Sequence, residues 1–427
     1  MSTSGTPARR LPVVLRNPSF GAVWAGQLLT QGAIRMFQVG AVWWIVSAAG
    51  SDHRGLDAGL FLMVSTLPAV TLAPVVARIV AHHAHRTVLA TAAGAAGVVA
   101  ASTAACAYAQ SLPVIAAYAA GMALATCQAV FDPCLTTSVP ELVEDADIEE
   151  ATGFELSTQS LAGLAGGLLG PLMVDAGGLA GVVAVCAGAY LLAAVLIAPV
   201  RFPYAAAPEA TDEDVPARRT LRQVLAGLPF IRRVLLCFAA ANVFTTAVFV
   251  VMPLYTQGVL RSTGSTVAAL EAALGAGTLL GSFTGGRLPG RPITVGSVCL
   301  AVMAAALALP GLLTGHAVAI GSLVVAGWCV GVIGVRFVAL FQRLVPADDK
   351  PGFFAMMQAL LGAAFPLSSL VFGALGDHLT ARALCLVQGA GLVPVTLALW
   401  WFGRDAADAE PRPSTQGRPV ALAGDAS

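Results

Sequence analysis

Four side chains near the start of the chain, Gln27, Gln31, Arg35 and Gln38, follow spacings of four, four and three, which puts all of them on one face of a helix. The residues between them are apolar or small, so the face is a polar stripe through a hydrophobic segment. An arginine at the centre of a membrane-spanning helix costs about 2.5–3.5 kcal/mol and is kept where it meets a partner or a wet cavity. In a cavity, its planar fork of donors suits a carboxylate, enolate or phenolate. Held instead as half of a structural pair, it never meets a ligand. Gln128, Asn242 and Arg336 are further polar residues inside apolar runs and join the stripe as expected cavity lining. Glu271, in a Gly-rich run, is the leading candidate to carry a proton, because a carboxyl in an apolar segment binds and releases a proton as its surroundings change. Asp132 and Glu155 are the other candidates. Asp132 and Arg336 occupy near-equivalent positions in the two halves of the chain and are expected either to meet as a gate between the halves or to be held each within its own half.

The elements that position these residues follow from composition. The 427-residue chain is 57% hydrophobic and 11% charged, against about 45–50% and about 25% for a soluble domain. Only a chain whose outer surface faces lipid can do with so little charge. Formal net charge is zero, which excludes the basic face of a nucleic-acid binder. Twelve apolar runs of spanning length emerge, at 21–48, 59–80, 87–109, 113–137, 153–174, 178–199, 234–256, 267–286, 293–314, 317–341, 353–376 and 381–402. A charged, Pro- and Ala-containing stretch at 201–233 divides them six and six. The expected organisation is an N-terminal lobe (1–200), a linker (201–233), a C-terminal lobe (234–403) and a disordered tail (404–427). Met1 to Ser19 carries arginines without a short apolar core and small-residue cleavage site, so the first helix is expected to stay in the protein.

Arginine and lysine set the orientation. With both ends on one side, the loops of that side hold 18 basic residues and the opposite loops 3, namely Arg54, Arg261 and Arg382. Both termini are therefore expected to be cytoplasmic. Trp24, Trp43 and Trp44 at the ends of the first helix, and Trp400 and Trp401 at the end of the last, read as interfacial aromatics. The eight cysteines are scattered singly and read as small hydrophobes. His82, His83 and His85 have no second ligand cluster near them in the sequence, so no metal and no cofactor is expected. Motifs for nucleotide binding, zinc peptidases and serine hydrolases are absent from the sequence, which leaves an enzyme without support.

The halves resemble each other. Ala120-Gly121 precedes Val139-Pro140 as Ala326-Gly327 precedes Val345-Pro346, at an offset of 206 residues. His82 and Arg86 correspond similarly to Arg287 and Arg291. Internal repeats of this kind build secondary transporters, whose site lies between the repeats near mid-membrane.

Several stretches narrow the resemblance. Leu15-Arg16-Asn17-Pro18-Ser19-Phe20 with Trp24 and Gly26-Gln27-Leu28-Leu29-Thr30-Gln31, then Phe131-Asp132-Pro133 leading to Val139-Pro140-Glu141-Leu142-Val143, and later Gln342-Arg343-Leu344-Val345-Pro346, are similar to the macrolide-efflux and enterobactin-exporter branch of the major facilitator superfamily. Gly166-x-x-x-Gly170-Pro171 resembles the antiporter motif of that superfamily. The resemblance implies an all-α polytopic fold of twelve helices in two pseudo-symmetric six-helix lobes. It also implies export of a small amphiphilic molecule, such as an antibiotic, a siderophore or another secondary metabolite, across a bacterial cytoplasmic membrane by a monomer exchanging it for protons. Gly166, Gly170 and Pro171, with the loop arginines Arg86, Arg287 and Arg291, are its conformational residues. The chain departs from the family at three places. Ala33, Ile34 and Arg35 stand where relatives carry Gly-Asp-Gly, Ala81 replaces the loop aspartate after the second helix, and Val174-Asp175 replaces the final Gly-Gly of the antiporter motif. A proton-independent uniporter or organic-anion exchanger fits the missing first-helix acid. An importer, or a membrane sensor or scaffold without flux, is a further alternative.

Overall fold

The computed structural model describes residues 12–48, 50, 52–109, 113–144, 147–202, 229–346 and 350–407. Among them the chain is helical and has no strand. After a short turn of helix α1 (Val13–Arg16), Asn17 caps α2 (Pro18–Ser47) by accepting the Phe20 amide at 3.0 Å, and Pro18 fills a first-turn position that needs no donor. The Asn17 amide also donates to the Leu142 carbonyl at 2.7 Å, tying the start of α2 to the end of another helix. The rest of this half is α3 (Arg54–Thr71), α4 (Ala73–His82), α5 (His85–Ala109), α6 (Val114–Leu142) and the 50-residue α7 (Ile148–Ile197). The second half comprises α8 (Pro229–Thr245), α9 (Val248–Tyr255) with a π turn at Thr256–Leu260, α10 (Gly264–Gly285), α11 (Pro292–Leu312), α12 (His316–Leu344), α13 (Lys350–His378) and α14 (Ala381–Ala407).

Nine helices among the described residues are long and apolar enough to cross a membrane, and α3 with α4, bent by 50° beside Pro74, makes a tenth span. The remaining two passes are hidden for physical reasons. The polar stripe of α2 lowers its hydropathy, although 30 residues reach about 45 Å at 1.5 Å each. Inside α7, Gly178 sits at φ 65° and ψ −173° and reverses the chain, a backbone conformation that favours glycine. Gly170 of α7 packs on Gly40 of α2, and Ile197, after the reversal, comes back to Gly26. The expected break between the fifth and sixth spans is therefore this kink inside one continuous assignment.

Two boundaries shift from expectation. Residues 203–228 of the expected linker, and 408–427 of the expected tail, lie outside the described residues. At their edges α8 already starts at Pro229 and α14 runs through Ala407, past the tail start expected at Arg404. A third expectation fails outright. Trp43 is not an interfacial aromatic, because it is 2% exposed and its ring nitrogen donates to Asp175 at 2.8 Å. Trp400 and Trp401 are exposed at 51% and 63% and match the expectation.

The halves pack with the same internal logic. In the first, α3 lies on α6 and α5 on both α6 and the second pass of α7; in the second, α10 lies on α12 and α11 on both α12 and α14. The lobes meet through α3 on α13 and the first pass of α7 on α10, which are equivalent pairs under the repeat. Large apolar side chains such as Phe283, Ile115 and Val195 are exposed at 74%, 74% and 67%, as a lipid-facing surface requires. All eight cysteines are free and six of them are buried.

The glycines of the α10–α12 crossing let two backbones touch. A Cβ at Gly327 would lie 3.0 Å from the Thr278 nitrogen and nearer still to the Leu274 carbonyl. Gly327→Leu is expected to destabilise the second lobe by about 1–3 kcal/mol, read as a lower thermal unfolding temperature of the purified protein. An unchanged unfolding temperature would show that this crossing is loose.

Candidate functional site

Both ends of the described chain lie on one side of the twelve passes, here the terminal side, and the opposite face is the far side. The stripe on α2 crosses the boundary between two environments. Toward the far side, Arg35 and Gln38 face the second lobe across a small cleft shared with Val42, Phe249, Pro253 and Glu271. The Arg35 guanidinium lies 3.3 Å from a Glu271 carboxylate oxygen and 4.8 Å from the centre of the Phe249 ring. Both members of the ion pair are mostly buried, with side chains 24% and 18% exposed. One turn toward the terminal side, Gln31 donates instead within its own lobe, to Asp132 on α6 at 3.1 Å. Gln128 donates to the same carboxylate oxygen at 2.6 Å. One turn further, Gln27 is buried and donates to the Glu155 backbone carbonyl at 3.1 Å, while the Glu155 side chain accepts from Thr136 at 2.6 Å.

The far-side half of the interface is tightly closed. Asp175 accepts from the Gly264 amide at 2.6 Å, and Asp377 accepts from the Gly55 amide at 2.8 Å. A Cβ at Gly167 would meet Glu271 at 3.3 Å, and one at Gly275 would meet Leu164 at 3.1 Å. The far-side apolar cluster of the first lobe, around Phe37, Phe61 and Tyr190, extends to Val250 and Val267 of the second. The terminal-side cluster, around Phe20, Phe131 and Ile197, stays within the first lobe. The same helix faces part toward the terminal side. Gly163 lies one turn from Gly167 on α7, and Gly362 two turns from Ser369 on α13, yet a Cβ at either would meet nothing within 4 Å, whereas Ser369 touches Gly59 of α3. The lobes thus form a cleft closed on the far side and open on the terminal side, with the Arg35–Glu271 pair at its apex.

The remaining predicted residues sit as follows. Asn242 donates to the Leu361 carbonyl at 2.7 Å and joins α8 to α13 inside the second lobe. Arg336 donates to the Gly285 carbonyl at 2.8 Å, within the same lobe. It does not meet Asp132, so of the two expected arrangements the structure shows the one in which each charge is held in its own half. Gly166 and Gly170 pack against the α2 backbone at Gly32, Met36 and Gly40, and Pro171 touches Gly264 of the second lobe. Arg86, in the first turn of α5, and Arg287 and Arg291, in the loop between α10 and α11, are exposed on the terminal side. His82 and His83 turn back on carbonyls of their own helix, His85 lies 2.9 Å from Glu141, and no metal-ligating cluster occurs among the described residues.

Two pseudo-symmetric six-helix lobes around a cleft are what comparison with known proteins finds as well. The profile of the Major Facilitator Superfamily matches residues 23–347. The chain belongs to the major facilitator superfamily. It is 20% identical over 392 residues to macrolide efflux protein A of Streptococcus pyogenes, covering 88% of this chain and 94% of that protein. Among solved structures, a bacterial homologue of the human lysosomal transporter Spinster, inward-facing and occupied, superposes with a TM-score of 0.72 at 12% identity, covering 93% of this chain and 99% of that one. A bacterial homologue of the iron transporter ferroportin, also inward-facing, gives 0.67 at 13% identity, with 91% and 98% covered.

Within the major facilitator fold, the far-side polar contacts between lobes beyond the Arg35–Glu271 pair rest on residues that no motif singles out. Asp175 was visible only as a departure from the antiporter motif, and Asp377, Gly55, Gly264 and Phe249 carried no motif at all. A signal was present in the repeat. Asp175 and Asp377 end helices of the two halves at an offset of 202 residues, close to the 206 of the Ala-Gly and Val-Pro pairs.

Removing one member of a buried pair strands the other charge, whereas removing both does not. Arg35→Gln and Glu271→Gln are each expected to destabilise the protein by about 1–3 kcal/mol, and the double variant by clearly less than the sum. A thermal double-mutant cycle reads this coupling. Strict additivity would mean that the pair carries no interaction between the lobes.

Proposed function

We propose that the protein is a secondary active exporter of a bacterial cytoplasmic membrane, moving a small amphiphilic molecule outward in exchange for protons by alternating access. The terminal side is the cytoplasm, as the 18 to 3 distribution of basic loop residues supports, and the structure then corresponds to the inward-facing state. The substrate class is an antibiotic, siderophore or similar natural product, by similarity to the macrolide efflux protein.

One observation carries the coupling. Asp132 and Glu155 lie close together in the cytoplasmic half of the first lobe, and the hydrogen bonds to their carboxylates come from neutral donors, Gln31, Gln128 and Thr136. A carboxyl in a spanning helix with no cation beside it is neutralised by a proton or by a cationic group of a ligand. Competition between the two for one site is the simplest basis of antiport. Glu271 is less suited to that task, because Arg35 already neutralises it. By the same argument Arg35 is not a free anion site, and the cleft favours an amphiphile with a basic nitrogen. Exchange of one proton for one monocation moves no net charge, so the pH difference drives it, at about 1.4 kcal/mol or roughly tenfold in substrate gradient per pH unit.

A second reading rests on the length of the apical pair. At 3.3 Å it is longer than the roughly 2.7–2.9 Å of a tight charge-assisted bond, so an organic anion displacing Glu271 from Arg35 could leave down the membrane potential without proton exchange.

Accumulation of amphiphilic antibiotics and siderophores in an efflux-deficient host, compared among the wild type, Asp132→Asn and Arg35→Gln, separates the two. Expression is expected to lower accumulation of a basic amphiphile by about tenfold, the gradient that one pH unit sustains, and both a protonophore and Asp132→Asn are expected to restore it. Depletion of an anionic compound that survives Asp132→Asn but disappears in Arg35→Gln would establish the anion reading instead.

A further inference from the structure

We infer that Asp175 and Asp377 form a two-point electrostatic latch that holds the far side of the lobes shut and sets the balance between the two orientations of the protein. Each carboxylate belongs to one lobe and serves the exposed amides at the start of a helix in the other. Asp175, late in the first pass of α7, accepts from the Gly264 amide at 2.6 Å with one oxygen and from the Trp43 ring nitrogen at 2.8 Å with the other. Asp377, near the end of α13, accepts from the Gly55 amide at 2.8 Å and from the Leu56 amide at 3.4 Å. Gly264 opens the 22-residue α10, and Gly55 lies in the first turn of the 18-residue α3. The first amides of a helix have no partner within it and carry the positive end of its dipole, so a carboxylate there makes a charge-assisted bond.

The arrangement is built twice. The carboxylates are related by an offset of 202 residues and the glycines they hold by 209, so the second latch is the image of the first under the internal repeat. Glycine is required on the receiving side. A Cβ at Gly264 would come within 2.5 Å of the Pro171 carbonyl oxygen, and one at Gly55 within 2.6 Å of the Gly373 carbonyl oxygen. Only a bare backbone lets the helix start reach the carboxylate. His53 stands 3.3 Å from Asp377 at the surface, and Trp43, buried in the first lobe, fixes the direction of Asp175. Parting of the lobes on the far side breaks both sets of bonds, because the latches lie on α7 with α10 and α3 with α13, the two most extensive contacts between the lobes.

The latch is independent of what the cleft carries, and its test needs no substrate. Hydrogen–deuterium exchange on the full-length protein in lipid nanodiscs compares wild type with Asp175→Asn and Asp377→Asn, which keep the shape and remove the charge. Each single variant is expected to raise exchange about tenfold at the first turns of both α3 and α10, including the one it does not touch, and to lower exchange in the terminal-side halves of α4 and α13 as the cleft closes there. A rise confined to the helix whose cap was altered would reduce the two residues to local caps and overturn the latch; unchanged exchange at both sites would overturn it too. Asp175→Ser and Asp377→Ser, which keep a capping oxygen without charge, repeat the comparison if an Asn variant does not give a monodisperse protein.

Discussion

Arg35 answers two demands at once: a guanidinium inside a spanning helix needs a counter-charge, and the carboxylate it finds, Glu271, belongs to the other lobe. The rest of the cleft is arranged around that fact. On the terminal side of Arg35 the polar groups of α2 find partners in their own lobe, Gln31 at Asp132 and Gln27 at the Glu155 backbone, so among the described residues these groups do not tie the lobes together. On the far side, apolar contact through Val250 and Val267 and the two aspartate caps close the interface. The pair therefore marks the depth at which the lobes stop touching. Its cost in desolvation is offset by the Phe249 face packed on the guanidinium and by the partial exposure of both side chains.

The membrane fold was largely legible because lipid leaves few alternatives: composition demands spans, and spans of one length demand about 20 apolar residues each. Even the weak first span was recoverable, since its polar residues recur at helical spacing. The site was legible to the level of residue types but not of partners. For Arg35 a charged partner and a wet cavity were both left open, because the partner lies 236 positions away and no local pattern encodes that. Of the two arrangements expected for Asp132 and Arg336, the one in which each is held in its own half is observed, for a geometric reason. Positions equivalent under a twofold repeat touch only near its axis, and α6 packs on α2, α3, α4, α5 and α7 while α12 packs on α10 and α11, each within its own lobe. Trp43 was misread similarly, because an aromatic near the end of a span is interfacial only if the helix end faces lipid.

Asp175 shows how a departure from a family motif carries information. Motif comparison registers the loss of a glycine, and the structure shows what replaces it: a carboxylate that reaches the Gly264 amide of α10, with Pro171 four residues earlier touching the same glycine. The close backbone approach supplied by Pro171 and Gly264 is what makes a short side chain long enough. A lysine or arginine at position 175 would face the positive end of α10, and a longer acid would have to fold back on itself.

The first pass of α7 carries two glycine faces with opposite duties. Gly166 and Gly170, four residues apart, lie against the α2 backbone at Gly32, Met36 and Gly40, inside one lobe. Gly163 and Gly167, also four apart and turned by about 60° on a 3.6-residue helix, look toward the other lobe, where Gly167 meets Glu271 and Gly163 meets nothing. The first face is a backbone-to-backbone seam that any relative motion must preserve, since separating it would open voids no neighbouring side chain can fill. The second is smooth, and small residues along it let α10 roll past without side chains interlocking. The proposed alternating access needs both properties side by side, one seam that does not slip and one that does, and the two glycine pairs on α7 differ in the partner they face.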